Sequence, residues 1–343
     1  MSDNVIEIDN LRVFFDTEGG EARAVDGLTL TMERGRILAI VGESGCGKSV
    51  TAYSILRLIQ RPGEIMEGSR IVFRPKEGEP IDICSLREDD ERLYGLRGGK
   101  ISMIFQEPMT ALSPVHTIGN QICEAILLHQ DVNKAQARRA AIDMLTRVGI
   151  PGPEKRIDQY PFEMSGGMCQ RVVIAMAMAC KPELLIADEP TTALDVTIQA
   201  QIMGLMRELK DEMDSSVIVI THDLGVVAQM ADDVAVMYLG QVVEQAPVVE
   251  LMTNPRHPYT IGLLRSLPSL HLDRDELPSI KGSVPSLTDK PSGCPFHPRC
   301  EFAREGLCDT GPAPRPNRVA ENRFSACLRE AELPIKDLIS DEH

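Results

Sequence analysis

The stretch Gly42-Glu43-Ser44-Gly45-Cys46-Gly47-Lys48-Ser49 has the pattern G-x-x-x-x-G-K-S. An apolar run, Ile37 to Val41, precedes it with the length of a buried strand. A helical pattern follows from Lys48 to about Gln60. A glycine-rich turn between a strand and a helix start points backbone N–H groups inward at an anion. The helix N-terminus adds positive partial charge at the same point. The loop therefore reads as a nucleotide phosphate site formed by Gly42, Glu43, Ser44, Gly45, Cys46, Gly47, Lys48, Ser49 and Val50. Lys48 is expected to reach the β- and γ-phosphates and Ser49 to ligate Mg²⁺.

A second block, Leu184-Leu185-Ile186-Ala187-Asp188-Glu189, is an apolar strand ending in two acids. Ligands of a parallel sheet bind beyond the carboxyl ends of its strands. Asp188 is thus expected to hold Mg²⁺, directly or through water, and Glu189 to polarise an attacking water. Between the blocks, Ser165-Gly166-Gly167-Met168 opens an apolar helical stretch, Val172 to Cys180, and Ser165 lies 23 residues before Asp188. Serine and glycines at a helix start make a second anion-binding N-terminus. It binds a second phosphate or offers itself to a partner's nucleotide.

This set of motifs resembles the ATP-binding cassette (ABC) ATPases. Gly42–Ser49 is similar to their Walker A loop, and Gln106, after the apolar run Ile101–Phe105, to the Q-loop glutamine. Met164-Ser165-Gly166-Gly167-Met168 resembles the signature, with methionine at both ends in place of leucine and glutamine. Asp188 and Glu189 resemble Walker B and the catalytic glutamate, Ala193-Leu194-Asp195 the D-loop, and His222 the switch histidine. Phe15 resembles the aromatic that stacks on adenine. The resemblance implies ATP hydrolysis with Mg²⁺ held by Ser49, Gln106 and Asp188, and with Glu189 and His222 catalytic. It implies a P-loop α/β fold with a RecA-like core, an antiparallel β subdomain and a helical subdomain.

Composition agrees. The chain has 343 residues, enough for about two domains, and 43% hydrophobic content sufficient for buried cores. A net charge of −15 and the lack of Trp argue against a nucleic-acid partner, which favours a basic face. Residues 1–10 are polar and acidic, unlike a secretory leader. The longest uncharged apolar runs are near nine residues, whereas a membrane span needs about 20. A cytosolic protein is expected, reaching membranes only through partners. Residues 1–250 read as the ATPase domain, with helical periodicity through 107–182 (Ile118, Ile122, Ala125 and Ile126; Ala141, Leu145 and Val148) and a polar insertion at Pro75–Gly99. Strand–helix alternation resumes at 183–245.

Residues 251–343 read as a small, irregular, cysteine-rich C-terminal domain. Twelve of the 23 prolines fall within 255–343, which disfavours long regular elements there. Cys294, Cys300, Cys308 and Cys327 are clustered with spacing C-x5-C-x7-C-x18-C. Reducing conditions disfavour disulfides, leaving a metal centre or four incidental thiols, and the clustering favours the metal centre. No paired C-x2-C knuckle of the usual zinc type occurs, although His297 could complete a mixed zinc set. Irregularly spaced cysteines also suit an iron–sulfur cluster. Because every nucleotide motif precedes residue 225, hydrolysis is expected to be largely independent of this tail.

The segment Asn254-Pro255-Arg256-His257-Pro258-Tyr259-Thr260, followed by Leu263-Leu264, resembles a marker of the dipeptide, oligopeptide and nickel importer branch. That resemblance implies a 4Fe–4S cluster on the four cysteines, with zinc as the alternative. It implies an ATP-hydrolysing importer subunit, peripheral on the cytoplasmic face of the membrane. The partners would be two membrane permease subunits, a second ABC ATPase subunit and, indirectly, an extracytoplasmic peptide-binding protein. Di- or oligopeptides are the expected cargo; nickel, glutathione or a soluble non-transport role are the alternatives.

Overall fold

The computed structural model of the chain describes residues 3–191, 196–267 and 280–333. Its centre is an eight-stranded sheet. From one edge the order is Asn317–Ala320, Arg323–Ser325, Gln241–Pro247, Asp233–Tyr238, Ile37–Val41, Ser216–Ile220, Leu184–Asp188 and Ile101–Ile104. The last five run parallel, and the first three are antiparallel additions. Every residue of Ile37–Val41, Leu184–Asp188 and Ser216–Ile220 is buried. Parallel strands covered on both faces need such uninterrupted apolar sequence.

A second, antiparallel sheet of five strands is built on the long strands Asn4–Thr17 and Gly20–Glu33. Its apolar face shares one core with Leu38, Ile40, Ile186 and Ile218 of the central sheet. The helical region includes Ile118–His129, Lys134–Arg147 and Gly166–Met178. Ile118, Ile122 and Ile126 line the buried stripe of the first, and Ala137, Ala141, Met144 and Leu145 that of the second. Each of these helices starts with a side-chain cap, from Thr117, Asn133 and Ser165 respectively, which satisfies N–H groups left over in the first turn. The polar insertion is partly ordered: helix Glu91–Leu96 buries Leu93 and Leu96.

The tail differs from the separate irregular domain expected from sequence. Strand Arg323–Ser325 pairs with Gln241–Pro247 and so extends the cassette's own sheet. Tyr259, Leu264 and Phe296 share a core with Val41, Tyr238 and Leu239. A boundary at residue 250 cuts through this core. The proline-rich tail lacks apolar residues for a core of its own, and it gains one by packing on the ATPase sheet.

Candidate active site

Because five strands run in one direction, their carboxyl ends share an edge. Val41 leads into the phosphate loop, Ile104 toward Gln106, Leu184–Asp188 into Glu189, and Ile220 toward His222. This is the edge at which ligands bind in such sheets.

The phosphate loop follows the sharp course its sequence predicts. Gly42 and Gly47 have φ of 152° and 96°. A Cβ at Gly42 would strike the Met237 carbonyl, and one at Gly47 the Ala24 carbonyl. Both positions therefore require glycine, for close approach as well as for conformation. Helix Lys48–Ile55 starts directly after Gly47. Lys48 is buried, and its Nζ donates to the carbonyls of Gly42 at 2.8 Å and Glu43 at 3.0 Å. Ser44 and Gly45 are exposed at the tip, while Cys46 is buried beneath it.

Asp188 is fully buried, and neither carboxylate oxygen has a well-aligned partner among the described residues. Burial pushes its carboxyl above the ordinary range, and Glu189 adds to this; the nearby Ser49 hydroxyl and Lys48 ammonium pull the other way. An orphaned buried carboxylate is costly unless a cation completes it. Next to a serine hydroxyl it offers hard oxygen donors of the kind Mg²⁺ accepts.

Glu189 has φ of 46°, in the left-handed region. Non-glycine residues held there concentrate at functional sites. Its backbone N–H donates to the Ile220 carbonyl at 2.9 Å. Gln106 Nε2 donates to Glu189 Oε2 at 3.2 Å, and His222 Nδ1 lies 3.5 Å from Glu189 Oε1. Three residues from three strand ends thus meet at one carboxylate.

Ser165 and Gly166 are exposed at the start of helix Gly166–Met178, and a Cβ at Gly166 would meet open space. Ser165 Oγ accepts from the Met168 N–H at 3.4 Å. One turn along, buried Gln170 donates to the Pro190 carbonyl. The signature helix is thereby tied to the segment just after Glu189, a link that sequence reading missed. Ala193-Leu194-Asp195 lies outside the described residues. Phe15 pairs with Gly63 across the antiparallel sheet and packs against its core.

The four clustered cysteines line one small cavity, together with Phe296, His297, Phe302 and Arg329. The Cys294 N–H donates to the Cys308 carbonyl at 2.8 Å, which brings two of the segments together. None of the four is in a disulfide. Burial, reinforced by the other cysteines, pushes Cys294 up to about 11 and Cys327 up to about 12. Among the described residues, no group of three or more His, Cys, Asp or Glu has the spacing to hold a single metal ion.

Nor is the tail independent of the nucleotide loop, as the order of motifs suggested. The Glu43 N–H donates to Tyr259 Oη at 2.9 Å, and the Glu43 carboxylate pairs with Arg299. Both groups of Glu43 thus turn toward the tail, away from the phosphate role expected for it. The Asn254–Thr260 segment delivers this contact. Buried Glu244 accepts the backbone N–H groups of Arg256 and His257, and His257 Nδ1 caps the next helix by accepting from the Tyr259 N–H. The segment is visible in the sequence, but its distant receptor is not.

Comparison with known proteins agrees with this geometry. The ABC transporter family profile matches residues 25–192. The profile described as the oligopeptide/dipeptide transporter C-terminal region matches residues 243–308. The chain belongs to the ABC transporter ATP-binding family and is an ABC-type ATPase. Its relatives include the dipeptide transport ATP-binding protein DppD of Bacillus subtilis (strain 168), 51% identical over 90% of this chain and 89% of that one. DppD of Escherichia coli (strain K12) is 46% identical over 94% of this chain and 96% of that protein. A dimeric post-hydrolysis structure of the cassette MJ0796, bound to ADP and Pi, superposes with a TM-score of 0.62 at 26% identity. That match covers 71% of this chain and 98% of the other.

Proposed function

We propose that this chain is the ATP-hydrolysing subunit of an importer for dipeptides or oligopeptides. It would work as one of two cassettes, paired with a second, paralogous ABC ATPase subunit whose signature closes over this chain's phosphate loop. Two membrane permease subunits, supplied by an extracytoplasmic peptide-binding protein, would carry the cargo, with this chain on their cytoplasmic face. Among the described residues no helix is long and apolar enough to cross a membrane. The observation that carries the reading is the meeting of Gln106, Glu189 and His222 at one point. The peptide cargo rests on the relatives' names and on the match over 243–308.

The residues divide the work as follows. Lys48 exchanges its two loop carbonyls for phosphate oxygens when ATP enters. Ser49, Asp188 and Gln106 would hold Mg²⁺, which screens charge on the phosphates. Glu189 orients the attacking water, and His222 steadies its carboxylate and contacts the γ-phosphate. Exposed Ser165 and Gly166 supply N–H donors to the partner cassette's nucleotide, and Gln170 couples that surface to the segment after Glu189. Donors fixed in advance around developing charge are the main source of rate in phosphoryl transfer.

Gln106 also begins the path to the membrane subunits. Gln121 hydrogen-bonds Ser113 and His116, and residues 118–119 bond to 157–159. Motion at Gln106 therefore reaches a surface carrying exposed Val115 and the stacked pair Tyr160–Phe162. Exposed stacked aromatics suit a protein contact.

For the cysteines we propose a 4Fe–4S cluster. Four thiols gathered around one buried cavity, two of them held protonated by burial, form a ligand set that a bound metal centre would deprotonate and satisfy. Cys294, Cys300, Cys308 and Cys327 would supply the four thiolates such a cluster takes from a protein. Its part would be to tie tail segments together. The reading as a whole is tested by reconstituting the chain with its permease subunits in vesicles. ATP-dependent peptide uptake that is lost with Glu189→Gln supports it; uptake that does not depend on this chain rejects it.

A further inference from the structure

Arg299 lies between two cysteines of the tail in sequence, yet its guanidinium ends at the phosphate loop. Its Nη1 and Nη2 donate to the two Glu43 carboxylate oxygens at 2.7 and 3.1 Å. The side chain is 4% exposed, against 29% for Glu43. It is seated from several directions. Nε donates to the Lys281 carbonyl at 3.0 Å, Nη1 is 3.5 Å from the Tyr238 hydroxyl, and the guanidinium carbon is 5.8 Å from the Tyr238 ring centre. Tyr238 in turn packs on Tyr259 and Phe296, and Tyr259 Oη accepts the Glu43 N–H. A two-pronged pair that is largely dry, on an anchored guanidinium, has little freedom to rearrange.

We infer that Arg299 is a positioning residue for ATP binding, acting through Glu43, and that the tail is in this sense part of the nucleotide site. Two consequences of the geometry support the inference. Glu43 is the second residue of a loop built to gather the negative charge of a triphosphate. An unpaired carboxylate there repels the nucleotide, and Arg299 cancels that charge without touching ATP. The Glu43 carbonyl also accepts from Lys48 Nζ, so a displaced residue 43 carries one anchor of the phosphate-binding lysine with it. The family assignment supplies the ATP site; it does not supply this clamp.

The test uses the full-length chain, with a fluorescent ATP analogue for affinity and steady-state hydrolysis for KM and kcat. Arg299→Ala is expected to raise the nucleotide Kd and the ATP KM roughly tenfold, equivalent to about 1.4 kcal/mol of binding, with kcat changed much less. Adding Glu43→Gln to Arg299→Ala removes the uncancelled charge and is expected to restore most of the lost affinity. Arg304→Ala is the control: it breaks an exposed tail pair with Glu332 (2.8 Å) away from the loop and is expected to leave KM unchanged. If Arg299→Ala fails to fold, Arg299→Gln removes the charge while keeping a shorter polar side chain and is expected to show the same rise. Unchanged KM in the variant that folds, failure of Glu43→Gln to restore affinity, or an equal loss in Arg304→Ala overturns the inference.

Discussion

Gln106 and Glu189 are joined side chain to side chain, Nε2 to Oε2 at 3.2 Å, across the carboxyl edge of the central sheet. The first residue opens the route to the helical region, and the second is the acid beside the buried Asp188. One hydrogen bond therefore links the acid beside Asp188 to the residue that opens the helical region. Nucleotide and Mg²⁺ would compete for Gln106, and losing that bond frees Glu189 to hold water.

Removing the acid should separate binding from turnover. Glu189→Gln is expected to lower kcat by about 100-fold or more, the usual contribution of a positioned general base. ATP affinity should stay near the original value, and the variant should accumulate as a closed pair of cassettes in size-exclusion chromatography with ATP. Near-normal turnover would remove Glu189 from its assigned role.

Lys48→Ala should act on binding instead. A charge-assisted hydrogen bond contributes roughly 1.5–3 kcal/mol, so nucleotide affinity is expected to fall by about ten- to a hundredfold. Equilibrium titration with ATP measures it. Thermal stability in the absence of nucleotide should also fall, because the Gly42 and Glu43 carbonyls and Cys46 Sγ lose a donor and the buried Asp188 loses a neighbouring cation, so affinity is read by titration on folded protein.

The exposed aromatic pair offers a test of coupling. Phe162→Ser and Val115→Ser are expected to leave the isolated chain's ATP affinity and hydrolysis intact. In vesicles containing the permease subunits, both should cut uptake and the stimulation of hydrolysis by cargo. A parallel fall of all three quantities would make this surface structural only.

The cysteine cavity makes a compositional prediction. Anaerobically purified protein is expected to be brown, with about four irons and four sulfides per chain. Serine at Cys294, Cys300, Cys308 or Cys327 should bleach it and speed proteolysis of residues 285–330. Serine at Cys46, Cys84, Cys123, Cys169 or Cys180 should keep the colour. Stoichiometric zinc without iron would instead point to a mixed site that recruits His297.

The tail's attachment should depend on pH through His257. Burial lowers its pKa to about 3, and the neutral ring accepts the Tyr259 N–H. A depressed folded-state pKa contributes stability that is present above the unfolded value near 6.5 and lost as pH falls toward 3. Glu244 runs the other way: burial raises it to about 7, so its contribution is present below about 4.5 and fades as pH rises through 7. Comparing the native chain with His257→Asn cancels the Glu244 part. The native chain should lose more stability than the variant between pH 7 and 5, as read by thermal melting. Equal losses would remove His257 from this role.

The sequence by itself determined the local chemistry. Phosphate-loop geometry, the capped signature helix and the acids at a strand end depend on residue types at short, fixed offsets, and those offsets survive in any fold that accommodates them. Helical periodicity likewise marked the buried face of helix Lys134–Arg147, where Ala141 and Leu145 are buried. Tertiary structure decided what lies far apart in the chain. Strand order brings Gln106 and His222 to the same carboxylate, and no local pattern encodes strand order. Sheet pairing merges the tail with the cassette, because proline-rich segments with few apolar residues must borrow a core. The pairing of Glu43 with Arg299, 256 residues apart, has no periodicity or motif to announce it; it exists only because the tail folds back over the loop and buries the Arg299 side chain there.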